Sequence, residues 1–374
     1  MSHKPGIGID IHAAFYQLAV VGPDGVVAEE RISTGVEGVK KIVDRIRSMS
    51  PAPVVAMEAC TGTYHLYHSL QNTGATILVV DPRKMRERFP KRGKKTDKVD
   101  ALNLANLATF HNVKGNWIPP ESTRKTRELT RERCRITEQC TTEMNRIHSK
   151  LKEYGIRWPG ASKKLWTEDG RRWLSNQMQK APGWLKMTVV GTLERLDLLW
   201  KQKRDLESAI CEEALQLEEA RLLMTVPGVS AVGSAVILSE MGDWRRFDNS
   251  KQLVSYAGLN PSVSQSGNSC YHGPISKHGR SNLRWICVEL ALSAYQHCPV
   301  LKAFHDRIKK KTRCSGKAKV ATGRKLLALC WHILRTGRPY NHERQDLTKR
   351  KEARIRQVAH RTRSGSGVNS VNTG

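Results

Sequence analysis

At 374 residues, with 39% hydrophobic and 26% charged residues, the chain is long enough for two or three domains and is globular rather than disordered. Its 63 Lys+Arg against 35 Asp+Glu give a net charge of +28 and a pI near 10.0, so the expected partner is a polyanion, most commonly nucleic acid. No apolar run reaches the roughly 18 residues of a membrane span, and the nine cysteines show no CxxC or Cys/His ligand spacing, which points to reduced cytoplasmic thiols and no structural zinc.

The first 117 residues alternate strands and helices. An apolar run over Gly6–Ile11, a second over Phe15–Gly22, and the Pro23-Asp24-Gly25 turn before Val26–Ile32 predict an antiparallel three-stranded meander. Val36–Met49 has helical periodicity through Val39, Ile42, Val43 and Ile46. Val54–Met57 reads as a buried strand ending at Glu58, followed by a short helix around Tyr64–Leu70 and a further strand over Ala75–Val80. A basic loop containing Lys94 and Lys95 precedes a helix over Asp97–Phe110. The order β-β-β-α-β-α-β-α predicts an α/β RNase H-like (RuvC-like) domain over residues 1–117.

Residues 118–223 predict a helical linker or coiled-coil arm. One long helix runs over Glu121–Arg157, with Leu129, Ile136, Met144, Ile147 and Leu151 along one side, and Trp158-Pro159-Gly160 breaks it. A second runs from about Thr188 to Leu223; the Trp- and Lys-rich stretch between them, 158–187, fits no element. Such an arm serves as a spacer or oligomerisation surface, and simple packing of one helix on the other explains the pattern equally well. Residues 224–340 predict a mostly α-helical domain. It opens on Val226-Pro227-Gly228-Val229 and a helix over Ala231–Met241, a turn resembling a helix-hairpin-helix, which presents backbone N–H groups to phosphate. The basic tail 341–374 is expected to be disordered.

Four carboxylates stand where such a fold would bring them together. Asp10 is embedded between Ile9 and Ile11, and a strand acid in apolar surroundings must face a polar pocket or bear a heavy desolvation cost. Glu58 ends the next core strand. Asp97 and Asp100, three residues apart at a helix start, face the same side. Convergent carboxylates are what hard divalent cations and two-metal phosphodiester chemistry require. Each acid also has a plain reading: Asp97 as an N-cap, Glu58 as a strand end. Asp81, followed by Pro82, reads as a turn residue.

The motifs GIDIH with Asp10, MEACTGTYH with Glu58 and KTDKVDALNLA with Asp97 and Asp100 resemble the RuvC-like domain of the Piv/IS110 family of DEDD transposases. The resemblance continues through LMTVPGV, RFDNSKQLVSYAGLNP, SQSGN and GPISKHGRSNLR, and covers roughly two-thirds of the chain. It implies Mg²⁺ or Mn²⁺ on Asp10, Glu58, Asp97 and Asp100, with His12 and Thr61 beside them, although His12 reads equally well as a solvent-facing strand-end residue. It also implies a serine nucleophile in the second domain, best matched by Ser266 in a loop followed by Gly267, with Ser264 and Ser276 as rivals. No acid lies near Ser266 to act as base, a gap that the carboxylate site would fill.

Lys277, Arg280 and Arg284, with Lys94 and Lys95, are candidate phosphate contacts, although a solvated basic face explains each alone. The resemblance further implies a bacterial insertion-sequence recombinase acting on donor and target DNA through a phosphoserine intermediate. A structured, element-encoded bridge RNA would be its guide, and a homo-oligomer, a dimer of dimers, its working form at the nucleoid. A RuvC-type Holliday-junction resolvase, or a non-enzymatic DNA-binding protein, are the competing readings. Intact acids at all four positions count against the second, and the SQSG and ISKHG motifs against the first.

Overall fold

A computed structural model describes residues 4–89, 96–110, 115–266 and 269–365; Lys94 and Lys95 lie outside the described residues. The chain divides into two compact units, Met1–Pro119 and Pro120–Gly374.

In the first unit β1 (Gly6–Ile11), β2 (Phe15–Gly22), β3 (Gly25–Ser33), β4 (Val54–Glu58) and β5 (Thr76–Val80) form one sheet in the order β3-β2-β1-β4-β5. The first three strands pair antiparallel, while β1–β4 and β4–β5 are parallel. With helices α1 (Val36–Arg47), α2 (Thr63–Leu70), α3 (Pro82–Arg88) and α4 (Asp97–Phe110), this is the RNase H-like arrangement expected from the sequence.

Strand alternation decides which helix covers which face. Ile7 and Ile9 of β1 pack with Leu18, Ile42, Ile46, Val55, Met57, Leu66 and Leu70, so α1 and α2 cover one face. The intervening residues of β1, Gly6 and Gly8, face α4. A Cβ on Gly8 would collide with the Ala101 carbonyl and the Ala105 amide, and one on Gly6 with Thr109 and the Ala105 carbonyl. The small residues Ala19, Ala101 and Ala105 complete this close layer. Helix α4 therefore lies directly on β1, with Ala105 between Gly6 and Gly8 and Ala101 at Gly8. One turn earlier on α4 stands Asp97, and two residues further on β1 stands Asp10.

The second unit contains α5 (Glu121–Glu153), α6 (Glu168–Gln179), α7 (Gly183–Gln216), α8 (Glu218–Met224), α9 (Ala231–Met241) and α10 (Ser250–Tyr256). A hairpin of β6 (Pro261–Ser266) and β7 (Ser269–Ile275) follows, then α11 (Ser281–His297), α12 (Pro299–Thr312), α13 (Ser315–Thr336) and α14 (Gln345–Gly365). Ion pairs Lys125–Glu213, Arg133–Glu207 and Arg195–Glu143 run in opposite directions along α5 and α7, so the two long helices are antiparallel. The tryptophan-rich stretch closes their far end. Leu165, Leu174 and Met178 pack there on Ile147, Leu185 and Val189, and Trp158 meets Trp173 edge-on at 5.0 Å. The second long helix begins at Gly183 and stops at Gln216, where α8 takes over, rather than running from Thr188 to Leu223.

Helix α14 corrects the expectation of a disordered tail. Its basic composition conceals an apolar stripe, and Ile355 and Ala359 are buried. Ile355 joins Ile210, Cys211 and Ala214 of α7 in one cluster, and the Ser208 hydroxyl donates to the Val358 carbonyl at 2.8 Å. Residues 366–374 lie outside the described residues. The turn between α8 and α9 is packed on α11: a Cβ on Gly228, whose φ is 89°, would collide with the Ala294 backbone. Among the described residues no helix is long and apolar enough to cross a membrane.

Candidate functional site

Asp10 continues the Gly6–Gly8 row of β1, and His12 follows it on the same side. Ligand atoms of Asp10, His12 and Asp97 all lie within 4.8 Å of one another. His12 Nε2 is 3.1 Å from Asp10 Oδ2 and 3.5 Å from Asp97 Oδ1. The His12 ring stacks on Phe15 at 4.5 Å, and the Arg31 guanidinium covers the same Phe15 ring at 3.5 Å. The imidazole is thus held from behind. Thr96 accepts the Val99 amide through its hydroxyl at 3.3 Å, which makes Thr96 the cap of α4 and leaves the Asp97 carboxylate to the cluster.

Asp10 is the most enclosed of the three, with 14% of its side chain exposed against 33% for His12 and 49% for Asp97. Burial pushes its carboxyl above the ordinary range; His12 pulls it down by charge and hydrogen bond, and Asp100 and Asp97 push it up again. Carboxylates that repel one another around a half-buried Asp10 are the electrostatic setting that a hard divalent cation relieves. The residues fit such an ion.

Glu58 arrives from the neighbouring strand. Ile9 pairs with Met57 in parallel register, so Glu58 follows at the same end of the sheet as Asp10. The Thr63 hydroxyl donates to the Glu58 carbonyl at 2.7 Å and accepts from the Cys60 amide at 2.8 Å, which fixes the turn after Glu58. Thr63, not the exposed Thr61, supports this turn. Asp81 accepts the Arg83 amide at 2.8 Å as the cap of α3, as its Pro82 neighbour indicates.

In the second unit the structure changes the setting of the serine. Ser266 does not lie in a loop: it is the last residue of β6, paired with Ser269 of β7, because Ser262–Gln265 and Cys270–Pro274 form a hairpin ladder. Ser264 lies within the same strand, opposite Tyr271. The Ser276 hydroxyl donates to Asn260 Oδ1 at 3.0 Å.

The segment after β7 is tightly held. Lys277 has a left-handed φ of 55°, uncommon for a residue with a Cβ, and its side chain is exposed. Arg284 donates to the Ala257 and Lys277 carbonyls at 2.9 and 3.2 Å, and Arg280 Nε donates to the Tyr256 hydroxyl at 2.7 Å. Both arginines thus brace the loop that presents Lys277. Behind them is a group the sequence did not single out. Glu240, 1% exposed, takes a two-point contact from Arg131 at 2.6 and 3.0 Å and a third bond from Asn282 at 3.3 Å. Its only signal was an acid in the apolar run AVGSAVILSEM.

Two family models match the chain: "Transposase", of the DEDD IS110 type, over residues 7–156, and "Transposase IS116/IS110/IS902 family" over residues 220–306. The putative transposase y4qE of Sinorhizobium fredii is 26% identical over 78% of this chain and 72% of its own length. The transposase for insertion sequence element IS1111A of Coxiella burnetii is 25% identical over 88% of this chain and 89% of its own. Among solved structures, Thermus thermophilus RuvC is similar over 27% of this chain and 90% of its own, at 15% identity and a TM-score of 0.22.

Proposed function

The chain belongs to the IS110 family of DEDD transposases and is a DNA-cleaving and rejoining enzyme, and on that premise we propose that it cuts and rejoins donor and target DNA through a phosphoserine on Ser266. The observation that carries the reading is the convergence of Asp10, His12 and Asp97 at one end of β1, where Glu58 and Asp100 also stand. Asp10, Glu58, Asp97 and Asp100 would hold Mg²⁺ or Mn²⁺, with His12 as a further ligand or as the hydrogen-bond partner that orients Asp10. A divalent ion held there supplies stabilisation of the charge that develops on a phosphate under attack.

In the covalent step the Ser266 Oγ–P bond forms as a P–O bond of the DNA backbone breaks. The serine proton passes to a base, and the departing deoxyribose oxygen takes up a proton. Attack by the hydroxyl of the other DNA end reverses these changes and releases the serine, so no external energy source is needed. Lys277 is presented to solvent on a strained backbone that Arg284 and Arg280 hold, and it would meet the phosphate.

Working domains of 1–117, 118–223 and 224–340, the last bearing the serine, complete the reading. So do a structured bridge RNA that selects both DNA sites and an assembly of several protomers, a dimer of dimers. The test is a denaturing gel of protein, bridge RNA, Mg²⁺ and cognate DNA. Wild type gives a protein–DNA adduct, Ser266→Ala gives none, and Asp10→Ala gives neither adduct nor cleavage. An adduct that survives Ser266→Ala overturns the serine, and cleavage without any adduct replaces the reading with RuvC-type hydrolysis.

A further inference from the structure

The hairpin that carries Ser266 forms one wall of a groove whose opposite wall is the first part of α13. Leu259, Ile275, Val320 and Ala321 give it an apolar floor, and its cavity volume is about 570 Å³. Three features on its rim point to nucleic acid. Tyr271 of β7 stands 70% exposed, an unusual position for a large aromatic side chain. Lys317 and Arg324 line the groove and are exposed. Helix α13 begins at Ser315 with no side-chain cap bond from Cys314, and Gly316 and Lys317 of its first turn line the groove.

The charge around it is of one sign. Between Asp306 and Glu343 the chain carries no acidic residue, while Lys and Arg recur, and Lys309, Lys310, Lys311 and Arg313 are exposed beside the start of α13. Arg324 also lines a second cavity of about 520 Å³, together with Phe304 and Lys325, so the basic path continues past the first groove. An aromatic face over an apolar slot between cations is the chemistry that takes an unpaired base between its phosphates.

The register gives the position relative to the proposed nucleophile. Ser266 pairs with Ser269, and Tyr271 lies two residues further along β7, opposite Ser264. Two residues of strand span about 7 Å, close to the spacing of one extended nucleotide. We propose that this groove binds an unpaired DNA segment next to the cut, with Tyr271 stacking on a base and Lys317 and Arg324 holding the flanking phosphates. The inference rests on the assignment of DNA cleavage to the hairpin, and its test is independent of cleavage.

Binding is measured without metal, on the full-length protein. The probes are a fluorescent duplex, the same duplex with a short single-stranded gap carrying 2-aminopurine, and an RNA oligonucleotide with the gap sequence. The expected result is tighter binding of the gapped DNA, with quenched 2-aminopurine fluorescence. Tyr271→Ala loses about tenfold in affinity for gapped DNA and relieves the quenching, and Tyr271→Phe restores both. Lys317→Ala and Arg324→Ala each lower the slope of log affinity against log salt by about one.

All variants should keep the wild-type circular dichroism spectrum and melting temperature, which separates loss of the groove from loss of the fold. Unchanged gapped-DNA affinity in Tyr271→Ala overturns the inference, as does a loss that appears only with RNA. Because no strand is cut, the readout does not depend on which serine is the nucleophile. An error in the nucleophile and an error in the groove therefore show separately.

Discussion

His12 Nε2 sits 3.1 Å from Asp10 Oδ2, and the same nitrogen is 3.5 Å from Asp97 Oδ1. One imidazole thus touches acids from a strand and a helix that are far apart in sequence. If the cluster holds a divalent ion, Asp10→Asn abolishes Mn²⁺ binding measured by calorimetry, and His12→Ala weakens it about 10- to 100-fold. Binding unchanged in both variants removes the metal centre.

The same cluster predicts a stability effect of the opposite sign. The folded protein holds the Asp10 carboxyl above its ordinary value of 3.8, mainly through burial and against the pull of His12. Just above that pH the native state binds more protons than the unfolded chain, so the Asp10 contribution to stability falls as pH rises and the carboxyl ionises. In metal-free protein at neutral pH, Asp10→Asn therefore raises the Tm, while the metal-induced rise seen in wild type disappears. A lower metal-free Tm in the variant contradicts the electrostatic account.

Gly8 governs whether the site assembles at all. It has no side chain to hold α4 off β1, and that contact aligns Asp97 with Asp10. Gly8→Ala should cost about 1 to 3 kcal/mol by overpacking and weaken Mn²⁺ binding, although no ligand is altered. Circular dichroism melts and metal titration of the one variant read both; a variant of wild-type stability that still binds metal shows that the close layer is dispensable.

The meander and the strands that follow it were legible because strand alternation is a local signal, and of the four acids singled out Asp10 and Asp97 meet in one cluster. The apolar residues of β1 alternate with Gly6, Gly8 and Asp10, and the chain order alone restricts the sheet. What stayed hidden depended on partners distant in sequence. His12 reads as a strand-end residue until Asp97 is brought to it. The hairpin at Ser266 was masked by serine and glycine, which carry weak strand propensity. Helix α14 was masked by its charge, because Ile355 and Ala359 gain an apolar partner only from α7. Glu240 gave a sign, an acid in an apolar helix, but its partners Arg131 and Asn282 lie more than 40 residues away in opposite directions.

Glu240 is expected to matter most for the stability of the second unit. Burial pushes its carboxyl up, but hydrogen bonding and charge from Arg131, with Arg127, outweigh this and hold it below the ordinary 4.5. Its stabilising contribution is present above the unfolded value and is lost as pH falls through the lower folded one. Glu240→Gln leaves Arg131 without its counter-charge and should cost about 3 to 5 kcal/mol, measured by urea unfolding at pH 7. The gap between variant and wild type should narrow in acid. A gap independent of pH assigns the loss to packing instead.

Lys351 yields a dependence of the same sign at high pH. It reaches from α14 to the turn between α8 and α9, where Nζ donates to the Met224 and Val226 carbonyls at 2.6 and 2.9 Å. Burial lowers its ammonium from 10.5 to about 8, with Glu343 opposing. Between those values the unfolded chain keeps a proton that the native state has released, so the Lys351 contribution to stability rises with pH across that interval. Lys351→Met removes the titrating group. The stability of wild type relative to this variant should therefore climb by about 2 kcal/mol between pH 8 and 10, after allowance for partial exposure to water. Urea unfolding of both proteins at a series of alkaline pH values gives the difference directly. A flat difference would mean that the two carbonyls hold the ammonium charged throughout, and that α14 is tied to the turn by a charge-assisted bond that alkali does not loosen.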